Sequence, residues 1–122
     1  MKVASITILA SNEFSSMIHS WATSVAREVH ILNDKSVDFL LSTDSLLIFN
    51  QNQELTSDIA ELKGRFDHKQ MPVHKIDING TLRVGVTNFD LWLESNKVKH
   101  LMVLGSDDLA KNPNLLRFLE AI

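Results

Sequence analysis

Two short runs set the strongest limit on what this chain can fold into. Val3 to Ala10 (VASITILA) and Ser45 to Phe49 (SLLIF) are apolar at nearly every position, and Val98 to Leu104 reads as a third, last buried strand. A strand with one wet face alternates apolar and polar residues. A strand that is apolar throughout has both faces covered, which is the mark of a parallel sheet with helices on each side. The intervening segments carry the helical period instead. Phe14, Met17, Ile18, Trp21, Ala22 and Val25 share one stripe of a helix expected over Glu13 to Glu28, with Asn12 as its N-cap. Leu55, Ile59, Leu62 and Phe66 share one stripe of a second, over Glu54 to His68, with Glu61 and Arg65 paired on its outer side.

The remaining elements follow from local signals. Val29 to Leu32 reads as a short strand and Lys35 to Leu41 as a helical turn. Val73 to Ile78 reads as a strand, and His74, Lys75 and Asp77 place it towards a sheet edge. Asn79-Gly80 is a strong hairpin dipeptide with Leu82, Val84 and Val86 alternating behind it. Pairing across that turn would set Ile76 against Arg83 and Asp77 against Leu82, which mixes apolar and charged side chains on one face and argues against a simple hairpin. Thr87-x-x-Asp90 matches a capping box and predicts a helix from Thr87 carrying Phe89, Trp92 and Leu93. Asn112-Pro113 opens a last helix bearing Leu115, Leu116, Leu119 and Ile122. The order implies an α/β single-domain, three-layer Rossmann-like fold over residues 1–122, with a mainly parallel sheet of about five strands.

Composition narrows the function classes. With 122 residues the chain can bury a core of its own without metal or disulfide. The absence of cysteine excludes thiolate zinc sites, redox centres and disulfide frameworks. A net charge of -3 and scattered basic residues, of which Lys97, Lys99 and His100 form the one local cluster, give no footprint for nucleic acid or an anionic membrane. No apolar run approaches the ~18 residues of a membrane span, and the start of the chain reads as a strand and not a signal peptide. A cytoplasmic location is the expectation.

In a wound parallel sheet, ligands bind beyond the carboxyl ends of the strands. That rule marks four tips: Ser11 and Asn12, Asn50 to Asn52, Asn79 and Gly80, and Gly105 to Asp108. Neither a G-x-G-x-x-G nor a P-loop pattern occurs, and Gly105 alone stands directly between a buried strand and a following helix. It reads first as a tight-turn glycine. Asp107 and Asp108 beside it would repel a phosphate. The five histidines lack metal-ligand spacing, so no metal site is expected. Asp44 fits a turn cap, Asp58 and Glu61 a solvated helix face, and Trp21 and Trp92 the core, although the three carboxylates could in principle serve acid/base chemistry.

Three stretches resemble the putative molybdenum carrier family of the lysine-decarboxylase-like, cytokinin-riboside-hydrolase-like Rossmannoid superfamily. Ser42-Thr43-Asp44-Ser45-Leu46-Leu47-Ile48 is similar to that family's "SDGTLI" strand, and Met71-Pro72-Val73-His74-Lys75-Ile76-Asp77 to its "KP" strand. Trp92-Leu93, Val98 to Gly105, Pro113 and Phe118-Leu119-Glu120 resemble its "WL", "LNVAGPRES", Pro and "FLE" ending. The likeness covers about two thirds of the chain and implies the fold, with the molybdenum cofactor as a possible ligand. The family's glycine-rich loops are replaced by Ala10-Ser11-Asn12-Glu13 and Gln53-Glu54-Leu55, and its final Pro and Arg by Ser106 and Asp107. A second likeness, to nucleoside deoxyribosyltransferase-like domains, implies a catalytic glutamate for which Glu54 or Glu61 would stand. The expectation is a binding module for a nucleotide-like or molybdopterin-like small molecule, held by Asn50, Gln51, Thr56, Gly105 and Ser106. The alternatives are a relative that works through protein association, including homo-oligomers, and an enzyme cleaving N-glycosidic bonds with Asp44, Asp58 or Glu61.

Overall fold

A computed structural model of the chain describes residues 3–9, 13–32, 43–52 and 55–122. The expected Asn12 cap, the turn from Lys35 to Leu41, the Ser11-Asn12 tip and Gln53-Glu54 lie outside them. In chain order the elements are β1 (Val3–Leu9), α1 (Glu13–Val25), β2 (Ala26–Leu32), β3 (Ser45–Asn50), α2 (Ser57–His68), β4 (Val73–Asp77), α3 (Leu82–Ser95), β5 (His100–Leu104), a 3-10 turn (Asp107–Lys111) and α4 (Pro113–Ala121). The five strands form one sheet in the order β2-β1-β5-β3-β4, and every pairing is parallel.

That order explains where the helices lie. The β1-to-β2 and β4-to-β5 connections move one way across the sheet and β3-to-β4 the other, so a single crossover hand puts α1 and α3 on one face and α2 on the opposite face. The core divides accordingly. Leu47, Phe49, Ile76, Leu101 and Val103 pack against α1, α3 and α4, whereas Leu46, Ile48, Met102 and Leu104 pack against Ile59, Leu62 and Phe66 of α2. All six residues of β3 are buried, as its unbroken apolar run requires. β4 lies at one edge, as its polar residues predict.

Several expected boundaries are corrected. Helix α1 stops at Val25 and β2 begins at Ala26, because Val3 pairs with Ala26 and the ladder then runs on to Leu9 and Leu32. No hairpin forms at Asn79-Gly80, and the helix expected from Thr87 begins at Leu82 with Thr81 at its N-cap. The Asp77 carboxylate accepts the Asn79 amide and Asp77 O accepts the Gly80 amide, which turns the chain straight into α3. Leu82, Val86, Phe89 and Leu93 then line up on the core side at the helical period. β5 starts at His100, because Val98 is used to close α3. The last helix begins as read: Asn112 Oδ1 accepts the Asn114 amide, with Pro113 in the first turn.

Helices α2 and α3 end alike. Met71 N donates to Phe66 O and Gln70 N to Asp67 O; Val98 N donates to Leu93 O and Lys97 N to Glu94 O. Both are Schellman closures, with Gln70 (φ 59) and Lys97 (φ 50) in the left-handed position that suits glycine. Gln70→Gly and Lys97→Gly are each expected to stabilise the fold by about 0.5 kcal/mol, relief of the strained φ outweighing the added freedom of the unfolded chain. Urea denaturation checks this.

His74 lies against Phe89 and Trp92, with ring centroids 5.7 and 5.2 Å away. Burial there lowers its pKa below the ordinary 6.5. The unfolded chain then takes up the proton first, so the contribution is intact above pH 6.5 and is lost as pH falls through the folded pKa. An NMR titration should place His74 below 6.5, and the acid-side stability curve of His74→Phe should be flatter than that of the parent.

Candidate functional site

The carboxyl ends of β1 and β5 and the start of α2 enclose a cleft of about 310 Å³. Its walls are Leu9, Phe14, Ile59 and Leu62, and its polar rim is Thr56, Asp58, Ser106 and Asp107. Three of the five expected ligand residues, Thr56, Gly105 and Ser106, meet here. Parallel strands bring them together: residues that follow β3 and β5 emerge at the same end of the sheet.

Each has a local role as well. Thr56 is the N-cap of α2, and its hydroxyl accepts the Ile59 amide at 3.3 Å. Gly105 has an ordinary negative φ, and its want of a side chain serves packing. A Cβ there would stand 2.4 Å from Phe14 Cζ and 3.0 Å from Leu109 Cδ1. The residue therefore lets the Phe14 ring lie against the β5 exit, and that ring forms one wall of the cleft.

The decisive contact is at the start of α1. Asp107 Oδ1 accepts the Phe14 amide at 3.0 Å. This first-turn N–H is one of the unpaired donors that hold phosphate in related architectures. Here a carboxylate of the same chain takes it. Asp58 adds a second negative group to the cleft, and no Lys or Arg lines it among the described residues.

Asn50 and Gln51 are placed differently. Asn50 is buried at the end of β3 on the α2 side of the sheet, and its Oδ1 meets no donor among the described residues. Gln51 belongs to a polar chain across the rim: its Nε2 donates to Asp108 Oδ2 at 3.0 Å, and its Oε1 accepts from Asn112 Nδ2 at 3.2 Å. Asn112 and Asn114 both donate to Asn79 Oδ1, and Asn79 donates to Asn52 Oδ1. Three of the four predicted tips are thus tied together by amide side chains. The role of Phe14, the capping by Asp107 and the reach of Asn112 and Asn114 were not foreseen. The recurrence of Asn and Asp after strands was the available signal.

The three candidate carboxylates do not share a site. Asp44 stands at the opposite end of β3, where Oδ2 accepts the Lys99 and His100 amides, both at 3.1 Å. Glu61 is exposed and pairs with Arg65, and Asp58 alone reaches the cleft. Among the described residues no group of three His, Asp or Glu could hold a metal ion, and no helix is long and apolar enough to cross a membrane.

Removing the Asp107 carboxylate should therefore be felt at α1. Asp107→Ala is expected to cost about 1 kcal/mol, the usual loss of an N-terminal capping partner, with faster amide exchange at Phe14. Chemical denaturation and hydrogen exchange measure the two effects.

No family model and no curated protein matches the sequence. Among solved structures, the chain is similar to the crystal structure of a putative molybdenum carrier protein from Syntrophus aciditrophicus SB. The TM-score is 0.65 at 13% sequence identity, over 98% of this chain and 92% of that one. At that identity the likeness is one of fold, the five-stranded parallel sheet and its flanking helices.

Proposed function

We propose that the protein is a small-ligand binding module whose cleft at the strand ends accepts an uncharged, ring-shaped molecule of nucleoside-like or pterin-like chemistry. One observation carries this reading: the position where a wound fold takes up phosphate is filled by Asp107, while the cleft beside it keeps apolar walls and neutral hydroxyls. Leu9, Phe14, Ile59 and Leu62 suit the faces of a ring, and Thr56 and Ser106 suit its polar edge. Gly105 keeps Phe14 in place as part of the wall, whereas Asn50 and Gln51, expected among the ligand residues, do not line the cleft.

The fold shared with a putative molybdenum carrier protein supports a ligand-binding module, and the sequence resemblance to that family suggests the molybdenum cofactor, a pterin bearing a phosphate. The described cleft residues fit the ring of such a molecule and not its phosphate, for which they offer two carboxylates and no cation. Of the carboxylates named for the enzymatic alternative, Asp58 alone lines the cleft, and Asp44 and Glu61 are engaged elsewhere.

Titration of the labelled protein with guanosine, 5′-GMP and a neutral pterin tests the proposal. Amide shifts at Thr56, Gly105 and Ser106 are expected with the neutral compounds. The 5′-phosphate should bind about tenfold more weakly, a difference of about 1.4 kcal/mol, and Asp107→Asn should narrow that gap. Silence at all three amides with every compound, or tighter binding of the phosphate, would remove it.

A further inference from the structure

We infer that two copies of this chain associate through the outer edge of β2, pairing antiparallel about Val29 to make one continuous ten-stranded sheet. β2 is the outermost strand on its side, and among the described residues no strand pairs with its outer edge. It is seven residues long, has neither Pro nor bulge, and leaves Arg27, Glu28, His30 and Ile31 exposed, with Ile31 at 47%. Such an edge offers a row of backbone donors and acceptors to another strand. The opposite edge is better protected: β4 has five residues, carries Lys75, and is flanked by α3.

The side chains select a second copy as the occupant. A two-fold axis perpendicular to the sheet keeps each face with its own kind, so only residues of equal parity can oppose one another. The register centred on Val29 matches all seven residues. On the α1 side it sets Arg27 across from the partner's Ile31 and Val29 across from the partner's Val29. On the other side it sets Glu28 across from the partner's His30, and Ala26 across from the partner's Leu32. Glu28 and His30 already lie 3.3 Å apart within one strand, so the axis gathers two carboxylates and two imidazoles in alternation. Moving the register by two residues either way opposes Glu28 to itself or His30 to itself, which costs the cross-strand pairing. The contact is a narrow one, at or below about 1,200 Å² in total, the size class of weak and reversible encounters.

Sedimentation equilibrium of the full chain from about 5 to 500 μM, spanning the affinities expected of so small an interface, is the test. A reversible dimer is expected. Ile31→Lys, which places a cation opposite Arg27, should raise the dissociation constant at least tenfold, and Arg27→Glu combined with Ile31→Lys should restore it. Because the chain has no cysteine, Val29→Cys gives an independent reading. Opposed Cα atoms in this register lie about 4.5 to 5.5 Å apart, within disulfide reach, so mild oxidation should yield a covalent dimer that retains native circular dichroism. A monomer at every concentration overturns the proposal, and so does a dimer that Ile31→Lys leaves intact. Failure of the double variant to recover together with no cross-link at Val29 overturns the register. Ligand titration at the cleft is a separate measurement, and neither result decides the other.

Discussion

The structure depends on the place of β5. This last strand of the sequence lies between β1 and β3 and bonds to both. Without it the chain holds two separate parallel pairs, β1 with β2 and β3 with β4, each too small to cover its own faces. Insertion of β5 buries Leu101 and Val103 on one face and Met102 and Leu104 on the other, so that each helix layer acquires its floor. Asp44 fixes the join at one end by accepting the Lys99 and His100 amides. At the other end the chain leaving β5 supplies Gly105, Ser106 and Asp107 to the cleft. Architecture and candidate site thus share one segment.

The same segment shows how an α/β rim can persist without its usual glycines and cations. Gly105 remains, but it accommodates the Phe14 ring and not a ligand backbone contact. Asp107 stands where an external anion would be expected. The amides of Gln51, Asn52, Asn79, Asn112 and Asn114 satisfy one another across the tips of β3 and β4. These groups are polar yet carry little net charge, which favours recognition by hydrogen bonds over long-range attraction.

Much of the fold was legible in the residues. The apolar runs at β1, β3 and β5 state their burial directly, and the Asn112-Pro113 start of α4 follows from capping chemistry. The region after β4 was harder for a physical reason. Leu82, Val84 and Val86 satisfy a period of two, while Leu82, Val86, Phe89 and Leu93 satisfy the helical period; only packing against the sheet chooses between them. The start of β2 was hidden because Arg27 and Glu28 read as helix, and only pairing with β1 makes them strand. Of the site, Thr56, Gly105 and Ser106 could be gathered from the rule that strand ends converge. The Asp107 contact to Phe14 spans 93 positions of sequence and has no local signature.

That contact carries a thermodynamic consequence. Asp107 is covalently tethered to the helix end it occupies, so its effective concentration there is of millimolar order or higher. A diffusing anion must outcompete a resident that never leaves the vicinity. The protein has internalised its own counter-ion, and the anchoring of α1 is a property of the chain itself.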